Sequence, residues 1–331
     1  MSLLNAISVD AMRACGAITE ADVVALRAAF NARDSITREE AEALISLNAA
    51  CTNRASGWSD CFVELVSDYA INQLQPVGYV TVDNAEWLAA QIASTGHIKR
   101  KNEFELLINV LDKARWSPEG LVAFALEQVK SAVVTGEGPL RAGMSLPAGV
   151  IDEAEVELIK RILYAYGGDG NVPLSRSEAE ILFDIDAATS GNEATAGAEN
   201  AESWPDLFVK AIANCIMTAS GYAAPSREQA LARETWIERR AEQVHASANV
   251  LSTYRAQSPV ERAIAALERQ KIEIVTADEV TVADAAWLAG RISADGQSPN
   301  INALIAFVGA QDPQLAPELE QLMQNLRQHA A

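Results

Sequence analysis

Apolar side chains recur at the spacing of one helical face in several parts of the chain. The clearest examples are Phe62, Leu65, Val66 and Tyr69 on one predicted helix and Phe104, Leu107, Ile108 and Leu111 on another. Positions i, i+3, i+4 and i+7 lie on the same side of an α-helix, so both stretches predict amphipathic helices. Long runs of Val, Ile, Thr and Tyr, which would indicate strands, are scarce. Because such helices must pack in pairs to bury their apolar faces, the pattern predicts an all-α fold.

A segment in the first half of the chain recurs near its C-terminal end. VTVDNAEWLAAQI at residues 80–92 matches VTVADAAWLAGRI at residues 280–292 without a gap. WSDCFVELVSDYAI at residues 58–71 likewise resembles WPDLFVKAIANCIM at residues 204–217. Similar segments in the same order along a chain are typical of an internal repeat. We therefore interpret the chain as the duplication of one helical copy.

The repeat also sets the predicted domain boundaries. The first helical copy spans residues 1–135, and the second spans residues 150–331. Between them lies GEGPLRAGMSLPAG, residues 136–149, whose glycines and prolines are typical of a linker. The second copy has a small and polar loop insertion at 190–203 and a helical insertion at 223–279.

Each predicted copy divides again into two helix-turn-helix units. The starts of the four units are Thr19, Thr81, Asp152 and Thr281. Thr and Asp are favoured N-cap residues, and a residue three positions later can complete a reciprocal cap. Those later residues are Asp22, Asn84, Glu155 and Asp284, of which only Glu155 comes near a true capping box. The sequence thus predicts an internally duplicated helical bundle built from four helix-turn-helix units.

The turn GGDGNVPLSRSEAE, residues 167–180, resembles the calcium loop of an EF-hand. Placing Gly170 at the glycine position of that loop leaves Asp169 as the one carboxylate at a ligand position. A calcium ion needs six to eight oxygen ligands, so we interpret the segment as a helix-to-helix turn. A weaker divalent-metal site formed by Asp169, Glu178 and Glu180 remains an alternative.

GDGNVPLSRSEAE and ARDSITREEAE share an acidic turn, an apolar residue and a glutamate that begins the next helix. This pattern resembles the tellurite-resistance TerB-like family, and also degenerate EF-hand-like helix pairs. The resemblance implies an all-helical and usually duplicated protein, cytoplasmic or membrane-associated. It further implies a role in metal or stress responses, in some members through acidic residues that contact metal.

Charge and motif content narrow the function classes. The formal net charge of −19 repels phosphate backbones, so we predict that nucleic acid is not a partner. The chain has no G-x-S-x-G motif and no phosphate-binding loop with its Lys-Ser/Thr pair. His97, His245 and His329 show no zinc-ligand spacing with each other or with the cysteines. These observations favour a protein that is not an enzyme.

The spacing of the cysteines and the length of the apolar stretches indicate the cellular compartment. Cys15, Cys51, Cys61 and Cys215 are widely spaced without a C-x-x-C motif, which is typical of idle thiols in a reducing compartment. A disulfide between Cys51 and Cys61 has no support beyond their proximity in sequence. No stretch of about 18 uninterrupted apolar residues predicts a transmembrane segment. We expect a cytoplasmic protein.

The predicted function is that of a non-catalytic, cytoplasmic helical protein that acts as a protein-interaction or stress-response module. This function requires a protein partner and no cofactor. One alternative is a TerB-like protein that binds or senses a divalent metal. A second alternative is an enzyme of unknown class.

Overall fold

Helices dominate this computed structural model, which confirms the predicted all-α class. The structure describes residues 9–33, 35–143, 146–165, 174–189, 203–219, 287–288, 290–292 and 298–310. In chain order, its elements are α1 (Val9–Cys15), β1 (Ala17–Ile18), α2 (Glu20–Arg33), α3 (Arg38–Ala50), β2 (Asn53–Arg54), α4 (Trp58–Asp68), a π-helical turn (Tyr69–Gln73), α5 (Val82–Ile92), α6 (Lys101–Lys113), α7 (Glu119–Thr135), α8 (Glu153–Ala165), α9 (Arg176–Thr189), α10 (Trp204–Ala219) and α11 (Pro299–Ala310).

The chain forms two compact units that divide between Tyr166 and Gly167. Helix α8, which sequence similarity assigns to the second copy, packs on α6 and α7 in the first unit. The copy boundaries drawn from the repeat stay a prediction. The helical insertion at 223–279 lies outside the described residues, as does the loop insertion at 190–203 apart from Ser203.

Helix α4 lies at the centre of the first unit, where it packs against α2, α3, α6 and the π-helical turn. Both apolar faces predicted from the sequence are buried: Phe62, Leu65, Val66 and Tyr69 on α4 and the turn that follows it, and Phe104, Leu107, Ile108 and Leu111 on α6. The periodicity therefore identified two helices whose apolar faces form part of this core.

The second unit has its own aromatic core. Helix α10 packs against α9 and α11. Phe183 and Phe208 are fully buried, and their rings meet edge to face with centroids 5.4 Å apart. Trp204 packs beside Phe208 at 5.8 Å. Edge-to-face packing is a favoured arrangement of aromatic rings, so these side chains hold α9 and α10 together.

Reciprocal side-chain caps form at the starts of α2, α3, α8 and α9. Thr37 and Glu40 form a reciprocal capping box at α3, and Ser175 and Glu178 form the same pair of contacts at α9. Further reciprocal caps join Thr19 to Asp22 and Asp152 to Glu155. Asp22 thus completes a cap as Glu155 does, which the sequence analysis did not expect. The start at Thr281 lies outside the described residues.

The first unit also contains a short parallel strand pair that the sequence did not predict. Ala17 pairs with Asn53 and Ile18 with Arg54, which joins β1 to β2. The chain before β1 stays paired, because the Gly16 carbonyl accepts hydrogen bonds from the backbone N–H groups of Thr52 and Asn53. The pair holds the entry to α2 beside the entry to α4.

The segment predicted as a linker is folded where it is described. Arg141 is only 4 % exposed, and its guanidinium donates to both carboxylate oxygens of Glu155 at 2.8 and 2.7 Å. It also donates to the backbone carbonyls of Pro147 and Val150. A buried arginine needs such partners for its N–H groups. Arg141 therefore holds residues of the connection against the first turn of α8.

A glycine is required where α7 ends and this connection begins. Gly136 has φ +73°, a left-handed conformation in which side chains are strained. A Cβ atom at this position would lie 2.9 Å from the backbone nitrogen of Ala148. The Gly149 N–H also donates to the Val133 carbonyl at 2.8 Å. The two ends of the connection are therefore packed together against the end of α7.

Candidate functional site

The three residues predicted as metal ligands have different surroundings. Asp169 lies outside the described residues. Glu178 is buried in the first turn of α9, where its carboxylate accepts from the Ser175 backbone N–H at 2.9 Å. Glu180 accepts a hydrogen bond from the indole of Trp287. The carboxylates of Glu178 and Glu180 therefore have separate structural contacts.

An arginine forms ion pairs with two of the acidic residues that follow Glu178 along α9. Arg291 Nε lies 3.2 Å from the Glu180 carboxylate, and Arg291 Nη2 donates to Asp184 at 2.6 Å. Its guanidinium also lies 5.4 Å from the ring centre of Phe183. A metal ion at Glu180 would have to compete with this positive charge.

Within the described part of the chain, no group of three or more His, Cys, Asp and Glu side chains could hold a metal ion. Because Asp169 is outside that part, metal binding by Asp169, Glu178 and Glu180 stays a prediction.

A tryptophan placed between an arginine and a glutamate occurs in both units. In the first unit, Arg38 lies 5.1 Å from the centre of the Trp87 ring, and the Trp87 indole donates to Glu42 at 2.9 Å. In the second unit, Arg176 lies 4.8 Å from the centre of the Trp287 ring, whose indole donates to Glu180. We call this arrangement the Arg-Trp-Glu contact.

The Arg-Trp-Glu contact holds the tryptophan ring both at its face and at its N–H edge. A cation over an indole face and a carboxylate on the indole N–H act on the same ring, and each is more favourable away from water. Trp87 is 8 % exposed and packs edge to face on Tyr69 at 5.6 Å. The contact therefore attaches α5 to α3 rather than presenting an open aromatic surface.

The interior of the first unit contains a cluster of polar side chains around Asn48, which is fully buried. Asn48 Oδ1 accepts from the Trp58 indole at 2.9 Å and from Asn102 Nδ2 at 2.7 Å. Asn48 Nδ2 donates at 3.2 Å to Asn102 Oδ1 and at 3.2 Å to Glu103 Oε1. We call these four residues the Asn48 cluster. It connects α3, α4 and α6 through hydrogen bonds that water does not reach.

Two arginines border the Asn48 cluster and occupy the C-terminal end of α3. Arg54 donates to the backbone carbonyls of Asn48 and Cys51, and Arg100 donates to that of Ala49. Arg100 also pairs with Glu103 at 2.9 Å. Burial, and then the nearby charge of Arg100, lowers the pKa of Arg54. Cations are favourable at a helix C-terminus, so both arginines stabilise the end of α3.

The second unit places an aspartate where the first has Asn48. Asp186 is 1 % exposed and accepts from the Trp204 indole at 3.1 Å, from Asn300 Nδ2 at 2.6 Å and from Ser298 Oγ at 3.0 Å. Asn48 and Asp186 occupy the same place in the aligned segments that begin at Ile36 and Leu174. In both units a tryptophan that begins a helix is the donor: Trp58 of α4 donates to Asn48, and Trp204 of α10 donates to Asp186.

The titratable side chains with a shifted pKa give no sign of an activated nucleophile. Burial is the largest cause of the raised pKa values of Cys51, Cys61 and Tyr69. An activated thiol has the opposite shift, because a neighbouring cation or base stabilises the thiolate. Arg27 does oppose the rise at Cys61, but burial outweighs it.

The Asn48 cluster was not predicted from the sequence, although the chain carries a signal for it. Asn48 continues the spacing of Ala41, Leu44 and Ile45, which are all buried. A polar residue on an otherwise apolar helical face predicts a buried hydrogen-bonded group. The partner, Asn102, lies 54 residues further along the chain, and spacing alone could not identify it.

Comparison with protein-family models, curated proteins and solved structures finds no match. The resemblance to the TerB-like family thus stays a prediction from the motif. Among the described residues, no helix is both long enough and apolar enough to cross a membrane.

Proposed function

We propose that this protein is a non-catalytic, cytoplasmic interaction or stress-response module built from two TerB-like helical copies of two helix-turn-helix units each. The observation that supports this proposal most is the structural role of the buried polar side chains. In both units, several of these groups cap helices or connect one helix to another, as Glu40, Asn48 and Asp186 do. A binding protein requires such rigid helices to present a surface, but it requires no reacting group.

Three recurring contacts support the duplicated architecture. The capping box at α3 recurs at α9, and the Arg-Trp-Glu contact recurs with Trp87 and Trp287. The third is the hydrogen bond from a buried indole to residue 48 or 186. All three fall at positions that the sequence repeat aligns. Unrelated helical segments have no reason to share all of them in one register.

The surface that we propose for the partner lies on α2. This helix buries Val23 and Leu26, whereas its opposite face exposes Ala21, Val24 and Ala28, with Val24 66 % exposed. An exposed apolar helical face is a common element of protein interfaces. The small alanines allow the backbone of another helix to approach closely. We therefore propose that the partner contributes a helix with an apolar face.

The helix aligned with α2 has a different character on the equivalent exposed face. TEADV at the start of α2 resembles DEAEV at the start of α8. Helix α8 buries Ile162 and Leu163 as well as Val156 and Ile159, and it packs against two helices, α6 and α7. In α8 the positions aligned with Ala21, Val24 and Ala28 are Ala154, Glu157 and Arg161, which are also exposed but include two charged side chains. The exposed face is therefore apolar in α2 and charged in α8.

A photo-crosslinking amino acid at position 24 tests the proposal. We expect it to capture one protein from an extract of the producing cells, whereas the same amino acid at Val82, an exposed valine on α5, does not capture it. Once that protein is purified, Val24→Glu should weaken its binding at least about tenfold, because the new carboxylate would be buried without a partner. Val82→Glu should leave binding unchanged. Capture of the same proteins from both positions, or undiminished binding by Val24→Glu, would contradict the proposal.

A further inference from the structure

Two thiols lie close together where α1 ends and α3 ends. Cys15 is exposed and Cys51 is fully buried. Both thiols donate to the same acceptor, the Met12 carbonyl oxygen, at 3.5 Å each. The two sulfur atoms can therefore be no further apart than twice that distance.

The backbone brings the same two residues together independently of their side chains. The parallel register pairs Ala17 with Asn53, so the residues two positions earlier on each segment are Cys15 and Cys51. The Gly16 carbonyl accepts from the Thr52 N–H at 3.1 Å, so the segments remain paired between the strands and the cysteines. Cys15 ends α1 and Cys51 directly follows α3, so the strand pair places the ends of these two helices, and with them the two cysteines, side by side.

We propose that Cys15 and Cys51 form a peroxide-responsive thiol pair that closes to an intramolecular disulfide. The thiolate of Cys15, the exposed member, attacks a hydroperoxide oxygen, which yields the sulfenic acid of Cys15 and releases hydroxide or alkoxide. The Cys51 sulfur then attacks the Cys15 sulfur, the S–S bond forms, and the sulfenic oxygen leaves as water. The two thiols together supply two electrons and two protons to the peroxide.

The environment of Cys51 sets the pH dependence of the second step. Burial and then the neighbouring Cys15 raise the pKa of the Cys51 thiol, while Arg54 and Arg13 oppose the rise. Because the thiolate is the attacking form, disulfide closure should become faster as the pH rises through the neutral range. The disulfide would attach α1 covalently to the end of α3.

Peptide mapping of the full chain tests the proposal. Reduced protein is treated with an equimolar amount of hydrogen peroxide, remaining thiols are alkylated, and the digest is analysed by mass spectrometry. We expect one linked peptide pair that joins Cys15 to Cys51, with a mass lower by two hydrogens, in protein that stays monomeric on a non-reducing gel. Peptides linked through Cys61 or Cys215, or an intermolecular Cys15 disulfide, would overturn the proposal.

Two variants at equally buried cysteines test whether the Cys51 thiol itself closes the disulfide. They distinguish that role from a general effect of removing a buried side chain. Cys51 and Cys61 are both fully buried, so Cys51→Ala and Cys61→Ala remove similar side chains. We expect Cys61→Ala to form the disulfide as the wild type does, whereas Cys51→Ala accumulates the Cys15 sulfenic acid, which dimedone traps. If the wild type and Cys51→Ala oxidise Cys15 beyond sulfenic acid at the same rate, Cys51 does not resolve it and the proposal fails. The wild-type peptide map decides the question even if a variant folds poorly.

Discussion

Replacing Arg141 with Met is expected to lower the free energy of unfolding of the first unit by about 3–5 kcal/mol at neutral pH. Arg141 is 4 % exposed, and its guanidinium donates to both oxygens of the Glu155 carboxylate. Met retains much of the arginine stem but offers no donor. The substitution leaves a buried carboxylate without its charge partner, and such a charge stays desolvated at a high cost.

The loss should depend on pH in one direction. Burial raises the pKa of Glu155, and the hydrogen bonds of Arg141 oppose this rise. Without Arg141, the pKa of the folded protein rises further above that of the unfolded chain. The folded state then binds the Glu155 proton more tightly than the unfolded chain does. The stabilisation that comes from this proton is fully present below the unfolded-state pKa and is lost as the pH rises through the folded-state pKa. The variant should therefore regain stability as the pH falls from about 7 towards about 4.

Urea denaturation at several pH values measures this effect, and hydrogen exchange at the amides of α7 and α8 assigns it to the first unit. Arg141→Met combined with Glu155→Gln should recover most of the loss and show little pH dependence, because no buried charge remains. Arg161→Met is the matched surface control: Arg161 pairs with Asp112, but its side chain is 52 % exposed. The control should cost less than about 1 kcal/mol. An equal loss from both arginines would contradict the importance of burial at Arg141.

Replacing Asn48 with Leu is expected to cost about 3 kcal/mol or more, since buried donors and acceptors lose their partner. The Trp58 indole N–H and the Asn102 amide both bond to Asn48, and Asn48 itself is fully buried. Leu has the same branched shape and the same number of side-chain heavy atoms as Asn, so the substitution leaves no cavity and the loss should come mainly from unpaired polar groups. Denaturation monitored by circular dichroism measures it.

A double-mutant cycle separates the polar contribution from packing. Trp58→Phe removes the indole donor, so its addition to Asn48→Leu should cost less than Trp58→Phe costs in the wild type. Asn72→Leu is a control at an exposed position, where the amide donates to Asp68, and it should change stability by no more than about 0.5 kcal/mol. If Asn48→Leu is no worse than Asn72→Leu, the Asn48 cluster does not stabilise the fold.

Local sequence patterns were sufficient to predict the helices, because the residues that form a helix are close together in the sequence. The apolar faces of α4 and α6 and the caps at Thr37 and Ser175 could be read from spacing alone. The strands β1 and β2 each have two residues, too few for any periodicity to appear. They form only because tertiary packing places the ends of α1 and α3 side by side.

The polar contacts were harder to predict, since each depends on residues that meet only in the folded chain. Composition identified residues 136–149 as a linker, but glycines and prolines say nothing about the burial of one arginine among them. Arg141 is buried because Glu155 lies in the first turn of α8, 14 residues further on. Glu180 entered the sequence analysis as a metal candidate, and its contacts with Trp287 and Arg291 come from a helix more than a hundred residues away.

The placement of α8 has a consequence for how the protein can be divided. Sequence similarity would cut the chain at residue 150, whereas packing divides it after Tyr166. A fragment that ends at the similarity boundary would lose α8 and expose the surface on α6 and α7 that Val156, Ile159 and Ile162 now cover. Such a bare apolar surface invites aggregation. The first unit therefore depends for its solubility on a helix that sequence similarity assigns to the second copy.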